Sequence, residues 1–297
     1  MWFKNVFIYR LPKNWATEAK LLQEQLSRQP LQTCSANDAQ SAGWVAPSEH
    51  GFLLHPVNGQ WLLSLGVEQK LLPASIVKQF ANDKIKAIEE AEDRRVGRKE
   101  MKEIREQMTL ELLPRAFIRQ RCTGGWIDPI NGWLVIDAAA PAKSEEFLEH
   151  LRKSVDRLPA KVLKTNQSPS AAMTAWVASG DAPTCFTVDQ DLELRSPEKA
   201  TVRYAKHSLE GAEIRQHIAA GKTVTRLAMT WNNRISFVLN ENLQIKRLTF
   251  LDILKNDADH QASNKEECFD LDFTLMAGEL ARLLDDLVEA LGGELPQ

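Results

Sequence analysis

The chain of 297 residues is long enough for two domains of ordinary size, and its 43% hydrophobic and 26% charged residues are typical of a folded globular protein. No apolar run approaches the about 18 residues that a membrane-spanning helix needs, and the N-terminus lacks the cleavage site of a signal peptide. Four widely spaced cysteines form no CxxC pair, which indicates reduced thiols and a cytoplasmic protein.

The formal net charge of −3 is unevenly distributed along the chain. Residues 252–297 hold twelve Asp or Glu and three Lys or Arg, whereas residues 199–247 hold nine Lys or Arg and three Glu. A basic body with an acidic end suits an anionic polymer as partner. Simple variation of surface charge explains the same pattern equally well, so the charge alone does not decide between them.

Hydrophobic periodicity predicts strands and helices in alternation through the first part of the chain. Strands are predicted at 2–9, 43–45, 51–55 and 60–65, helices at 15–26 and 143–158, and a hairpin at 123–138. Asn58-Gly59, between two of the strands, is typical of a two-residue hairpin turn.

The stretch from Pro73 to Arg121 is dense in charge, and residues 84–111 contain eight Lys or Arg and eight Asp or Glu. Such a composition favours long, solvated helices. Gly97 separates two helical stretches, so we expect a helical hairpin that projects from a body. The segment that follows carries Arg115, Arg119 and Arg121 and no acid as far as Ile127.

The second half repeats the mixture of strands and helices. After a linker-like segment at 159–170, the pattern predicts helices at 174–179, 209–220 and 272–291, and strands at 192–194, 201–204, 223–231, 235–239 and 244–251. Strands 223–231 and 235–239 are predicted to pair across Asn232-Asn233-Arg234, which is typical of a hairpin turn. Ser208 is the predicted N-cap of the helix at 209–220.

The predicted fold class is therefore α+β, with antiparallel sheets and packed helices. The elements predict a first domain that is discontinuous around the projecting hairpin, and a second half that is also α+β.

The sequence contains no complete motif for nucleotide, metal or cofactor binding. Gly221-Lys222-Thr223 resembles the end of a phosphate-binding loop, but a helix precedes it and a strand follows, which is the reverse of that motif. The six histidines show no metal-binding spacing. Asp270 and Asp272 alternate near the acidic end, and a metal-dependent nuclease built on them stays open as an alternative function.

The basic residues of the second half are the strongest functional signal. They predict sequence-tolerant contacts to a DNA backbone, because no base-reading motif accompanies them: Lys199, Arg203, Lys206, Arg215, Lys222, Arg226, Arg234, Lys246 and Arg247. Two alternatives stay open. In the first, these side chains only solvate a sheet face, and in the second the charged hairpin serves a protein-interaction module that is independent of DNA.

The chain resembles the RdgC family of bacterial recombination-associated proteins along essentially its whole length. The resemblance is carried by Trp2-Phe3-Lys4-Asn5, Leu112-Leu113-Pro114-Arg115-Ala116-Phe117, Trp126-Ile127-Asp128, His217-Ile218, Ala220-Gly221-Lys222, Lys246-Arg247-Leu248 and Gly278-Glu279-Leu280-Ala281.

The resemblance implies a non-enzymatic, ring-shaped homodimer that encircles duplex DNA without sequence preference, limits access of the RecA recombinase and resides in the nucleoid. Single-stranded DNA is a further expected partner. By the same resemblance, each protomer has a discontinuous central domain (1–72 and 114–168), a helical finger (73–113) and a base domain (169–297), and two separate contacts join the protomers. Phe117 would lie at the finger-side dimer contact, and Lys206 and Lys222 would face the DNA. With the basic residues beside them, the predicted DNA-binding set is Lys206, Lys222, Arg203, Arg226, His207, Arg115 and Arg119. No cofactor, metal or membrane is expected.

Overall fold

The computed structural model describes residues 2–13, 15, 18–49, 51–251 and 264–295. The chain divides into two compact units. The first unit comprises Met1–Arg28, Ala46–Ser64 and Thr123–Gln297, and the second comprises Gln29–Val45 and Leu65–Cys122. The predicted central, finger and base regions have other bounds and stay predictions.

The described strands belong to one antiparallel sheet of twelve strands. They are β1 (Val6–Arg10), β2 (Gln40–Val45), β3 (Leu54–Val57), β4 (Gln60–Leu71), β5 (Phe117–Asp128), β6 (Trp133–Asp137), β7 (Lys161–Val162), β8 (Phe186–Arg195), β9 (Thr201–Tyr204), β10 (Thr223–Trp231), β11 (Ile235–Asn240) and β12 (Ile245–Phe250). Their order is β2-β4-β5-β6-β1-β12-β11-β10-β8-β9, with β3 beside β4 and β7 beside β1.

Seven α-helices lie in the described part of the chain. They are α1 (Ala19–Leu26), α2 (Ala74–Glu92), α3 (Arg98–Leu112), α4 (Pro141–Ser154), α5 (Pro169–Ser179), α6 (Ala212–Ala219) and α7 (Lys265–Ala290). The predicted α+β class is therefore confirmed. None of these helices combines the length and the apolar character that a bilayer crossing requires.

A large hydrophobic cluster lies in the first unit, and helix α7 supplies one side of it. Fully buried aromatic side chains from the sheet, among them Trp133 and Trp231, belong to the same cluster as Phe273, Leu280 and Leu287 of α7. The helix begins at a side-chain cap, because Asn264 Oδ1 accepts the backbone N–H of Glu267 at 2.8 Å. Its apolar stripe thus packs against the strands that carry the basic residues.

Two tight turns connect the strands where the sequence predicts them. Asn58 and Gly59 have φ of 51° and 78°, and Asn232 and Asn233 have φ of 46° and 54°. Two consecutive residues with positive φ give the twist that a short hairpin needs, and asparagine and glycine tolerate this conformation. The predicted hairpins β3–β4 and β10–β11 are confirmed.

In the second unit, α2 and α3 form the predicted helical hairpin on either side of Gly97. Asp93 ends α2 in the left-handed conformation, and Arg94 then donates two hydrogen bonds of 2.7 Å to the carboxylate of Glu100. The facing sides of the helices share a small apolar cluster: Ala81, Ile85, Val96, Ile104 and Met108. The two helices therefore stabilise each other despite their charged surfaces.

Three local predictions need correction. Helix α1 begins at Ala19 rather than near Trp15. Helix α6 begins after Gly211, so Ser208 is not its N-cap. The segment 159–170 is not a free linker, because it contains β7 and the start of α5, and Gln167 N–H donates to the carbonyl of Leu291 at 2.9 Å.

Candidate nucleic-acid interface

Strands β8 to β12 present a polar face on the side of the sheet opposite the core. Along β10, Val224, Leu227 and Met229 are buried, whereas Arg226 is exposed. Because side chains alternate between the faces of a strand, neighbouring strands add their own outward residues beside Arg226. The result is a surface on which basic side chains from several strands come together.

Glu193 of β8 lies at the centre of this surface. It pairs across the sheet with Arg203 of β9 on one side and with Arg226 of β10 on the other. Its Oε2 accepts from Arg203 Nε at 2.7 Å and lies 3.8 Å from Arg226 Nη1. Its Oε1 lies 3.4 Å from Arg195 Nη2 and accepts from the hydroxyl of Thr225 at 3.0 Å. One carboxylate thus holds three guanidinium groups.

The environment of Glu193 keeps this carboxylate charged. The side chain is only 5% exposed, and burial by itself would raise its pKa. The hydrogen bonds from Thr225 and Arg203, with the positive charges of Arg226 and Arg203, outweigh burial and lower the pKa of Glu193. The arginine side chains that it holds are 70% exposed at Arg203 and 47% exposed at Arg226, so each has a buried partner and remains accessible to solvent.

Asp191, two residues earlier on β8, holds a second pair of basic residues. Its Oδ1 accepts the backbone N–H of Lys206 at 3.0 Å, and its Oδ2 lies 3.3 Å from Arg247 Nη1. Lys206 follows the end of β9, and Arg247 is in β12. Both have positive φ, 53° and 51° respectively. The Lys206 side chain is exposed.

The predicted residue His207 lies between Lys206 and α6. Its Nδ1 is 2.7 Å from the carbonyl of Ser208, so this ring nitrogen is the donor, and its Nε2 is 3.9 Å from Glu213. The ring lies 5.3 Å from that of Tyr204. His207 is therefore held by backbone and aromatic contacts beside Lys206.

Lys222 lies at the other end of α6, where Gly221 adopts a φ of 85° and reverses the chain after the helix. Its backbone N–H donates to the carbonyl of His217 at 3.1 Å, and its Nζ is 2.9 Å from His217 Nδ1. Because an ammonium group can only donate, this contact requires an unprotonated Nδ1. The His217 ring is 6.4 Å from the ring of Tyr204, so Tyr204 lies near both His217 and His207.

The remaining predicted residues belong to the second unit. Arg115 ends a short 3₁₀ turn at Leu113–Arg115, and Arg119 Nη2 donates to Gln69 Oε1 at 3.4 Å. Phe117, at the start of β5, is 84% exposed, an unusual position for a large aromatic side chain.

The structure thus brings Arg203 and Arg226 together around Glu193, with Lys206 held by the neighbouring Asp191. His207 and Lys222 belong to the same unit but lie near the Tyr204 ring, which packs against the core. Sequence reasoning missed Asp191 and Glu193, the acids that hold the two arginines and Lys206, and gave Arg247 no role of its own. A signal was present in Asp191-Leu192-Glu193-Leu194-Arg195, where polar residues alternate with leucines and so share one face of a strand.

The carboxylates of the nuclease alternative have a different setting. Asp270 Oδ1 is 2.7 Å from Nε2 of the buried His55, which connects α7 to β3. Within the described ranges, no group of three or more His, Cys, Asp or Glu side chains has the geometry to hold a metal ion.

Comparisons with known proteins agree over the full length of the chain. The profile of a family described as "Putative exonuclease, RdgC" matches residues 1–294. A protein from Janthinobacterium sp. (strain Marseille), named "Recombination-associated protein RdgC", is 54% identical over 297 residues, which cover 99% of each chain. Proteins of the same name from Herminiimonas arsenicoxydans and Dechloromonas aromatica (strain RCB) are 53% and 50% identical, again over 99% of each chain.

Proposed function

The chain belongs to the RdgC family of recombination-associated proteins, and from this premise we propose that it is a non-enzymatic protein that binds DNA without sequence preference. The observation that carries the proposal is the group of exposed guanidinium groups around the buried carboxylate of Glu193. Arginines held in place by a buried acid lose little side-chain entropy on binding phosphate. Nothing in this surface resembles a groove-reading element, which favours contacts to the DNA backbone.

Competition between duplexes tests this function. A fluorescent duplex is bound by the protein and then challenged with unlabelled duplexes of unrelated sequence and equal length. Backbone-directed binding predicts equal competition by all of them, and single strands of the same length should also compete. A strong preference for one duplex, or no binding to any, would contradict the proposal.

The second part of the proposal is a ring-shaped homodimer that encloses duplex DNA and limits the access of RecA in the nucleoid. It is supported by the exposure of Phe117, because an apolar side chain 84% exposed is suited to contact with a second copy at a symmetry axis. A closed ring should stay on covalently closed circular DNA at a salt concentration that frees it from the linearised form. Equal loss from both forms would argue against enclosure.

The description of the family as an exonuclease makes a nuclease assay necessary. End-labelled linear DNA is incubated with the protein and with magnesium or manganese. We expect intact DNA at all times. Shortened products that disappear in an Asp270→Asn variant would instead support the alternative of a metal-dependent nuclease.

A further inference from the structure

Asp191 connects three elements of the basic surface through one carboxylate. It accepts the backbone N–H of Lys206 and lies 3.3 Å from the guanidinium of Arg247, while itself belonging to β8. The negative charge of an acid weakens the attraction of a surface for phosphate. An acid can offset this loss if it holds the neighbouring basic side chains in position. Its side chain is 38% exposed, so it is not a buried charge retained for packing alone.

The backbone at Arg247 is in a conformation that arginine rarely adopts. Its φ is 51°, next to an irregularity in the pairing of β11 with β12, and its N–H donates to Asn5 Oδ1 at 3.3 Å. A non-glycine residue in the left-handed region costs of order 1 kcal/mol and persists only where its surroundings impose it. The bulge changes the direction of the strand and therefore of the side chain, as bulges near functional sites commonly do.

A groove of about 180 Å³ lies at this point, and Arg203, Arg226, Lys246 and Arg247 line it together with Asp191 and Glu193. The four cations outnumber the two acids. Arg203 uses Nε to reach Glu193, and Arg247 uses Nη1 to reach Asp191. Each guanidinium keeps further N–H donors, and the side chains of Arg203 and Arg247 are 70% and 76% exposed. A tetrahedral phosphate with several acceptor oxygens matches this arrangement.

We propose that this groove binds a phosphodiester group of DNA, that Arg247 contacts the phosphate directly, and that Asp191 is the residue that positions Arg247. This proposal rests on the DNA-binding function above and assigns a specific site to it. The basic side chains of the groove attract the phosphate, and Asp191 and Glu193 hold the arginine side chains in position.

The first test removes the side chain of Arg247. Arg247→Gly suits a φ of 51°, so it deletes the guanidinium and relieves the backbone strain at the same time. We expect thermal stability to be kept or raised, and affinity for duplex DNA, measured by fluorescence anisotropy, to fall about tenfold. The slope of log affinity against log salt should become shallower by about 0.9, as for the loss of one phosphate contact.

The second test separates positioning from simple charge. Asp191→Asn keeps an oxygen that can accept the Lys206 N–H but loses the anionic partner of Arg247. Removal of a negative charge predicts tighter binding, whereas loss of positioning predicts binding about threefold weaker, within the range of one weakened hydrogen bond. Asp189→Asn is the matched control: it removes the same charge from β8, where Asp189 Oδ2 accepts from the hydroxyl of Thr230 at 2.9 Å. The Asp189→Asn variant should bind DNA as tightly as the wild type or more tightly.

The double variant completes the experiment. If Asp191 acts through Arg247, Asp191→Asn should add nothing to the loss caused by Arg247→Gly. Wild-type protein that binds DNA while both single variants keep its affinity would overturn this site and leave the proposed function intact. Tighter binding by Asp191→Asn would overturn the positioning role. Wild-type protein that binds no DNA would overturn the function and this site together.

Discussion

Arg203 Nε lies 2.7 Å from Glu193 Oε2, although the carboxylate is 5% exposed and the arginine side chain is 70% exposed. The two residues are direct neighbours across β8 and β9. The buried partner fixes one edge of the guanidinium, and the other edge faces solvent. A binding surface built in this way needs little reorganisation to accept phosphate, which explains why acids lie within a surface expected to bind an anion.

The first prediction concerns the stability that Glu193 supplies. Glu193→Gln should lower the free energy of unfolding by about 1–3 kcal/mol, because the buried carboxylate accepts hydrogen bonds from charged donors. Urea unfolding followed by circular dichroism measures this change. Glu213→Gln on α6, an exposed acid, is the control and should change stability little.

The ion pair of Glu193 with Arg203 also predicts that the free energy of unfolding depends on pH. The pKa of Glu193 is lower in the folded protein than the value of about 4.3 expected in an unfolded chain. The stabilisation by Glu193 is therefore complete above that unfolded value and is lost as the pH falls through the folded one. The difference in stability between wild type and Glu193→Gln should shrink in acid. A difference that grows as the pH falls would contradict the assignment.

A third prediction concerns the two lysines near α6. Lys206→Glu and Lys222→Glu should each weaken DNA binding several-fold at moderate salt, because each replaces an attraction for phosphate by a repulsion. Anisotropy titrations measure the effect. Lys99→Glu in the helical hairpin makes the same change in net charge at a side chain 94% exposed, outside the predicted DNA-binding set. Equal losses in all three variants would indicate an effect of net charge alone.

A fourth prediction concerns the proposed contact between protomers. Phe117→Ser should leave the stability of the protomer unchanged, because the side chain is exposed, and should open one of two dimer contacts. Small-angle scattering should then report a longer particle of the same mass. Phe52→Ser, at an aromatic side chain 63% exposed, is the matched control and should leave the solution shape as it is.

A fifth prediction tests the hairpin as a small cooperative unit. Ile104→Ala should destabilise the cluster between α2 and α3 by about 2–4 kcal/mol, the usual range for deletion of a buried aliphatic side chain. Hydrogen exchange should rise in both helices. Leu110→Ala on the same helix, where the side chain is 58% exposed, should leave exchange nearly unchanged. Faster exchange in only one helix would show that the two do not support each other.

The sequence predicts the elements of this fold better than it predicts the site. Turns such as Asn58-Gly59 and Asn232-Asn233 depend on local conformational preferences, which the residue types alone predict. The long helix at the C-terminus follows from its apolar stripe. The sequence predicts the start of α6 too early, because Ser208 is a better capping residue than Gly211, which precedes the helix in the structure.

The site was only partly predictable, since it depends on register between distant strands. The cluster of basic residues after position 199 was visible, and Lys206, Lys222, Arg203 and Arg226 do share one unit. The partnership of Glu193 with Arg203 and Arg226 depends on the pairing of β8 with β9 and β10, which no local pattern specifies. The left-handed backbone at Arg247 likewise depends on a bulge created by the sheet.

Salt dependence of DNA binding tests the central claim most directly. Affinity for two unrelated duplexes is measured by anisotropy over a range of salt concentrations. The account predicts the same steep negative slope for both duplexes, with about 0.9 contributed by each phosphate contact. A slope near zero, or different slopes and affinities for the two duplexes, would contradict it.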